Sequence, residues 1–172
     1  MRKIIAIVGN SGCGKDTLAK LIESEFKIPQ IKSYTTRKKR TGETDEHIFI
    51  SIDEFDTIKQ NNDFFAYTLY GGNHYFTTEQ QILNCNKMIY VIDEAGIFYL
   101  KEKIKEPKFK DLEICFVNVI ASKSTRLKRG VSLDRMRRDH DRVPFDKFDV
   151  IIENNSTIDN LKKQLNKINK FL

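Results

Sequence analysis

The sequence predicts an α/β protein in which a parallel sheet is covered by helices on both faces. Three observations predict it. Short apolar runs rich in β-branched residues alternate with segments whose apolar residues recur at helical spacing, starting with the run over residues 3–8. That first run passes through Gly9-Asn10-Ser11-Gly12-Cys13-Gly14-Lys15-Asp16-Thr17 directly into a helical-period segment, giving the order strand, glycine loop, helix. One contiguous stretch, residues 33–77, interrupts the alternation and is dense in aromatics, so a small β-rich insertion is expected there.

Taken in order, the strand over residues 3–8 ends at a loop spaced as Gly, four residues, Gly-Lys, the spacing of a phosphate-binding loop. Glycines let backbone N–H groups turn inward, the following helix contributes the positive potential of its N-terminus, and Lys15 supplies a mobile point charge. Leu18, Leu21, Ile22 and Phe26 mark that helix, and Pro29 should end it near Lys27. Residues 33–43 are polar, basic and aperiodic, and read as a loop touching a charged group; a solvated basic turn has the same composition. Residues 47–50 read as a strand, and Ser51-Ile52-Asp53-Glu54 has the spacing of a capping box that opens a helix through about Lys59. Residues 65–70 and 74–77, joined through Gly71-Gly72-Asn73, read as a hairpin, and residues 78–81 repeat the capping pattern.

Residues 88–93 return to the buried-strand type and end in Asp93. In a phosphate-loop protein a carboxylate there orients magnesium or its waters; the competing reading is an N-cap for the next helix. That helix is expected through about Lys105, ahead of Pro107, followed by a core strand over residues 114–120. Arg126, Lys128, Arg129, Arg135, Arg137, Arg138 and Arg142 then stand against few acids, namely Asp134, Asp139 and Asp141. A solvated helix face can carry such a density, but like charges repel unless an anion binds between them. Residues 150–152 read as the last strand, and Ile158, Leu161, Leu165 and Ile168 mark an amphipathic C-terminal helix packed on the core.

At 172 residues the chain suits one domain with a sizeable core. No apolar stretch approaches the ~20 residues of a membrane span, and the apolar run behind Met1-Arg2-Lys3 is too short for a signal peptide. Cys13, Cys85 and Cys115 form no metal or disulfide pattern, which predicts a reducing, cytoplasmic setting. A net charge of +6 suits phosphate-bearing partners. No recognition helix, zinc pattern or RNP-like strand is visible, so no nucleic-acid or membrane partner is expected.

With these residues in view, the chain resembles the guanylate kinase family of phosphate-loop nucleoside monophosphate kinases along nearly all its length. Beyond the loop, the resemblance rests on Ser33-x-Thr35-Thr36-Arg37-x-x-Arg40-x-Gly42-Glu43, then Phe49-Ile50-Ser51 and Tyr75. It continues in Ile92-Asp93-x-x-Gly96, Arg126-Leu127-x-Arg129-Gly130, Arg135-Met136 and Ile152-Glu153-Asn154. It implies a P-loop NTPase fold with a core (residues 1–32, 78–122 and 143–172), an acceptor-binding subdomain (33–77) and an arginine-rich lid (123–142). It implies transfer of the ATP γ-phosphate to a nucleoside monophosphate with Mg2+ as cofactor. Asn10, Ser11, Gly12, Cys13, Gly14, Lys15, Asp16, Thr17, Arg126 and Asn154 would then face ATP. Ser33, Arg37, Arg40, His47, Thr68, Tyr75 and Thr77 would face the acceptor, Lys15, Arg37, Arg129 and Arg135 would act on the transferring phosphoryl group, and Asp16 and Asp93 would serve the metal.

The chain also departs from the family pattern. Asp16 stands where a magnesium-binding hydroxyl is usual, and His47 where a tyrosine is usual. Ala66 and Val91 replace the glutamate and aspartate that read guanine, and the lid between Arg129 and Arg135 is short. Gly14-Lys15-Asp16 and Glu46-His47-Ile48 are also similar to ribose 1,5-bisphosphate phosphokinase, whose acceptor has no base. A non-catalytic guanylate kinase-like binding module is the alternative of another class, although such modules are expected to lose the loop lysine and lid arginines kept here.

Overall fold

A computed structural model describes residues 1–43, 46–140 and 145–172. Five parallel strands form the main sheet in the order β2 (Gln30–Ile31), β7 (Lys87–Val91), β1 (Arg2–Val8), β8 (Leu112–Ile120), β9 (Val150–Glu153). Alternation along β1 divides the core. Ile5 and Ile7 pack with Leu18, Ala19 and Ile22 of α1 (Lys15–Phe26), whereas Ile4, Ala6 and Val8 face Ile97 and Leu100 of α4 (Glu94–Lys103). A strand buried on both faces needs such a continuous apolar run, and this is why the first strand is legible. Its C-terminal end, with that of β7, delivers the chain to one edge of the sheet, where ligands bind in open α/β folds.

The aromatic stretch forms a second, mixed sheet in the order β4 (His47–Phe49), β3 (Ser33–Thr35), β6 (Asn73–Thr78), β5 (Phe64–Tyr70). Ser33–Thr35, expected to be loop, is strand: Tyr34 pairs with Ile48 on one side and Phe76 on the other. The Ser51 capping box forms as expected, with Ser51 N–H donating to Glu54 Oε2 at 2.7 Å, and opens α2 (Ile52–Asn61). Phe65 of β5 is fully buried against Phe109, with ring centroids 5.1 Å apart, and ties this sheet to the core. Thr78 N–H donates to Gln81 Oε1 at 3.0 Å at the start of α3 (Glu79–Leu83).

The region expected to be a lid holds α5 (Lys123–Lys128) and α6 (Leu133–His140); Asp141 and Arg142 lie outside the described residues. The expected C-terminal helix is shorter than its apolar pattern. α7 covers Ile158–Lys163 and gives way to 3-10 turns over Gln164–Lys167 and Asn169–Phe171. There Gln164 accepts from Glu153 N–H at 3.1 Å and donates to Glu153 O at 2.7 Å, covering the open edge of β9. Leu161, Leu165 and Ile168 are buried as expected, but Ile158 is exposed.

Candidate active site

The loop from Gly9 to Gly14 leaves β1 and feeds α1, whose free N–H groups make its mouth electropositive. Two of its glycines are required by close approach. A Cβ on Gly14 (φ +97°) would meet Asn154 Nδ2 at 2.2 Å, and one on Gly12 (φ +74°) would meet Val131 Cγ2 at 2.2 Å. Asn154, at the end of β9, donates to Cys13 O at 2.8 Å, so the far edge of the sheet is stitched to the loop. Lys15 Nζ folds back onto Gly9 O at 2.7 Å. Burial pushes the Cys13 thiol pKa up, which makes this cysteine a packing residue rather than a nucleophile.

All three expected lid arginines reach the loop. Arg129 donates to Gly12 O at 3.0 Å, to Asn154 O at 2.9 Å and to Asn154 Oδ1 at 3.2 Å. Arg135 Nε donates to Ser11 Oγ at 3.0 Å. Arg126 is placed differently from the ATP-facing position expected of it. Its guanidinium is buried, donating to Ser11 O at 2.7 Å and pairing with Asp139. Arg126 borders a separate cavity beside Asn10, Leu133 and Met136.

On the second sheet, Arg37 grips Glu43 through two bonds, Nη1 to Oε2 at 2.9 Å and Nη2 to Oε1 at 2.5 Å, and its guanidinium lies over the Phe49 ring. The Arg37 bond, helped by the Arg40 N–H, holds the Glu43 carboxyl at about 2. Ser33 Oγ and His47 Nδ1 are 2.9 Å apart, and the His47 and Tyr75 rings meet edge to face at 5.9 Å. Burial, then the neighbouring Arg37, lowers the His47 pKa, so the ring is neutral near pH 7. Ser33, Arg37, Arg40, His47, Thr68 and Tyr75 border one cavity of about 440 Å³.

Thr77 does not border it; fully buried, it donates to Tyr90 Oη at 3.3 Å, and Tyr90 forms part of the wall instead. Sequence reading missed Tyr90 because a tyrosine inside an apolar strand run looks like core. Ala66 is buried in the core, while Val91 borders the cavity, so neither family carboxylate position offers an acceptor there.

Asp93 takes the N-cap reading: its Oδ1 accepts from Gly96 N–H at 2.7 Å and from Thr68 Oγ at 2.8 Å. Among the described residues its second oxygen has no hydrogen-bond partner, nor has the Asp16 carboxylate, and both residues border the 440 Å³ cavity. Two open carboxylates beside a phosphate loop fit magnesium, which is commonly held by one or two carboxylates plus substrate phosphates. No closed group of three His, Cys, Asp or Glu ligands occurs among the described residues.

A second cavity, about 370 Å³, lies across the loop between Gly14, Thr17, Arg129, Asn154 and the exposed Ile158. Lys15, Asp16 and Arg135 border both cavities.

Comparison with known proteins bears on the family and the fold. A family model described as guanylate kinase matches residues 1–171. The chain is 36% identical to a guanylate kinase of Lactococcus lactis over 113 residues, covering 62% of this chain and 55% of that protein. It is 28% identical to a guanylate kinase of Mycoplasmopsis pulmonis over 176 residues, covering 90% of this chain and 88% of that protein. The first of these matches thus spans little more than half of the relative's length. In fold, the chain is similar to the crystal structure of guanylate kinase from Anaplasma phagocytophilum, with TM-score 0.62, 18% identity, and coverage of 98% and 85% of the two chains.

Proposed function

The chain belongs to the guanylate kinase family, and on that premise we propose that it is an ATP-dependent kinase acting on a nucleoside monophosphate with altered or relaxed base selection. The observation that supports this reading is the sharing of Lys15, Asp16 and Arg135 by two cavities that meet at the phosphate loop. ATP would lie along the side of Arg129 and Asn154, and the acceptor phosphate beside Ser33, Arg37, Arg40, His47 and Tyr75. An oxygen of the acceptor phosphate attacks the γ-phosphorus, the bond to the β–γ bridging oxygen breaks, and ADP leaves with that electron pair. Lys15 and Arg135 bind the phosphoryl oxygens over which charge spreads in such a transition state. Asp16 and the free oxygen of Asp93 would hold Mg2+, which supplies further charge neutralisation when bound. The free cysteines accord with a cytoplasmic setting.

The base end of the acceptor cavity supports the relaxed selection. Thr68 has spent its proton on Asp93, Tyr67 Oη is bonded to His74 Nδ1 at 2.9 Å, and Val91 has no polar atom in its side chain. A site that pairs polar groups with its ligand rejects the wrong one by ~10⁴, and an apolar site does not. The same observation favours a second reading, a base-free acceptor such as ribose 1,5-bisphosphate. ATP consumption with Mg2+ and, in turn, GMP, dGMP, AMP, CMP, dTMP, UMP and ribose 1,5-bisphosphate tests both. Turnover of several monophosphates within a factor of ~10³ is expected. A larger preference for GMP would require another guanine-reading group, and turnover of the sugar bisphosphate alone would establish the second reading. Nucleotide binding without any transfer would make the chain a binding module.

A further inference from the structure

We infer that Asp139 is a positioning residue that acts through Ser11 on Arg135. Asp139 lies one helical turn beyond Arg135 on α6, on the same face, and points at the phosphate loop. Its side chain is 1% exposed. Oδ2 accepts from the Ser11 backbone N–H at 2.9 Å and Oδ1 accepts from Ser11 Oγ at 3.0 Å, while Arg126 pairs with Oδ2.

The consequence lies in the direction of one proton. A hydroxyl has one hydrogen to donate, and an ionised carboxylate only accepts. Asp139, paired with Arg126, accepts the Ser11 hydroxyl at Oδ1, so the Ser11 proton points at Asp139. The Ser11 oxygen therefore presents lone pairs on its other side, where Arg135 Nε donates at 3.0 Å. With Nε anchored, the two terminal nitrogens of Arg135 are left without a hydrogen-bond partner among the described residues, at the junction that both cavities share. Arg40 approaches the same junction from the acceptor side, and burial together with Arg40 lowers the Arg135 pKa. An arginine set between a like charge and an open cavity leaves that position readily unless it is tethered. The relay Arg126–Asp139–Ser11–Arg135 is that tether, and it joins both lid helices to the loop.

The functional readout rests on the kinase reading above, so the test carries an arm that does not need turnover. Ser11→Ala keeps the Arg126–Asp139 pair and the backbone bond and removes only the relaying oxygen. It should lower kcat about tenfold or more while KM for ATP and acceptor changes less than about threefold, as expected of misplacement rather than lost binding. In an Arg135→Ala background, Ser11→Ala should cost nothing further. Asp139→Asn turns a donor toward Ser11 Oγ or Arg126, and if it folds it should follow the same pattern. Multiplicative losses, or a Ser11→Ala enzyme with unchanged kcat, would overturn the inference. If the wild-type protein transfers phosphate to none of the acceptors, the kinase reading fails instead, and crystal structures decide the relay. Arg135 should stay at the junction in the wild type and leave it in Ser11→Ala; an unmoved guanidinium in the variant sinks the proposal.

Discussion

On the proposed donor side of the site, Arg129 and Arg135 rest on neutral oxygens, those of Gly12, Asn154 and Ser11, and among the described residues neither is paired with a carboxylate. On the proposed acceptor side, Arg37 is clamped in two places by Glu43. Carbonyls and hydroxyls orient a guanidinium but leave its charge, whereas a carboxylate orients it and cancels the charge. The side of Arg129 and Arg135 is therefore electropositive, as the ATP site proposed above needs to be. In the proposed reading the acceptor side fixes geometry first, and Arg40, with His47, Ser33 and Tyr75, would complete the contact with a single phosphate.

The largest effect should come from removing the charge that sits between the two sides. Among the described residues Lys15 makes bonds only to loop carbonyls, Gly9 O at 2.7 Å and Asn10 O at 3.4 Å, so Lys15→Ala leaves the core untouched. Turnover should fall by several orders of magnitude, since catalysis of phosphoryl transfer is mostly positioning and charge stabilisation. Kinase assays alongside thermal melts check this. A folded variant with near-normal turnover would remove the phosphate loop from the chemistry and leave the comparison without a centre.

Less drastic is a change that keeps charge and removes geometry. Arg129 spans Gly12 on one side and Asn154 on the other with its two terminal nitrogens, and a lysine ammonium cannot reach both. Arg129→Lys should lower kcat/KM about ten- to a hundredfold, the equivalent of one or two charge-assisted hydrogen bonds. Steady-state kinetics with ATP as the varied substrate reads it out. Equal activity would mean that the donor side works by diffuse attraction alone, and that its neutral clamps are incidental.

The two sides also differed in how far the sequence revealed them. The acceptor arm is a contiguous motif, and Ser33, Arg37, Arg40 and Glu43 could be named together because the chain presents them within eleven residues. The capping box at Ser51 and the hairpin through Gly71-Gly72-Asn73 are local devices, and both formed as their spacing predicted. The donor side is assembled across more than a hundred residues, and there the reading was incomplete. Asp139 among arginines looked like one acid on a solvated face, yet it is buried on Ser11, 128 residues away. Arg126 matched a motif, but its partner was invisible, so its burial was not foreseen. Thr77 failed for a related reason. Strand alternation says which residues share a face, but not that Tyr90 comes between Thr77 and the cavity. The two-residue strand β2 carries too short a pattern to be seen in the sequence.

The smallest effect isolates the acceptor-side clamp itself. Glu43 is held at about 2 by its bonds to Arg37 and the Arg40 N–H, well below the ordinary glutamate value of 4.5. A carboxyl depressed by folding adds stability that is fully present above its unfolded pKa and is lost as pH falls through the folded value. The window for this pair therefore runs from about 4.5 down to about 2. Glu43→Gln keeps the shape and one acceptor oxygen but drops the charge. It should cost about 1 kcal/mol at pH 7, the upper range for a pair that solvent still reaches. The gap between variant and wild type should narrow as the pH is taken down through that window, because the wild type then loses the same charge. Urea midpoints at pH 7 and pH 3 measure it. A gap that stays constant with pH would show that Glu43 holds Arg37 by shape and hydrogen bonding rather than by charge. The two sides of the site would then orient their arginines by the same means.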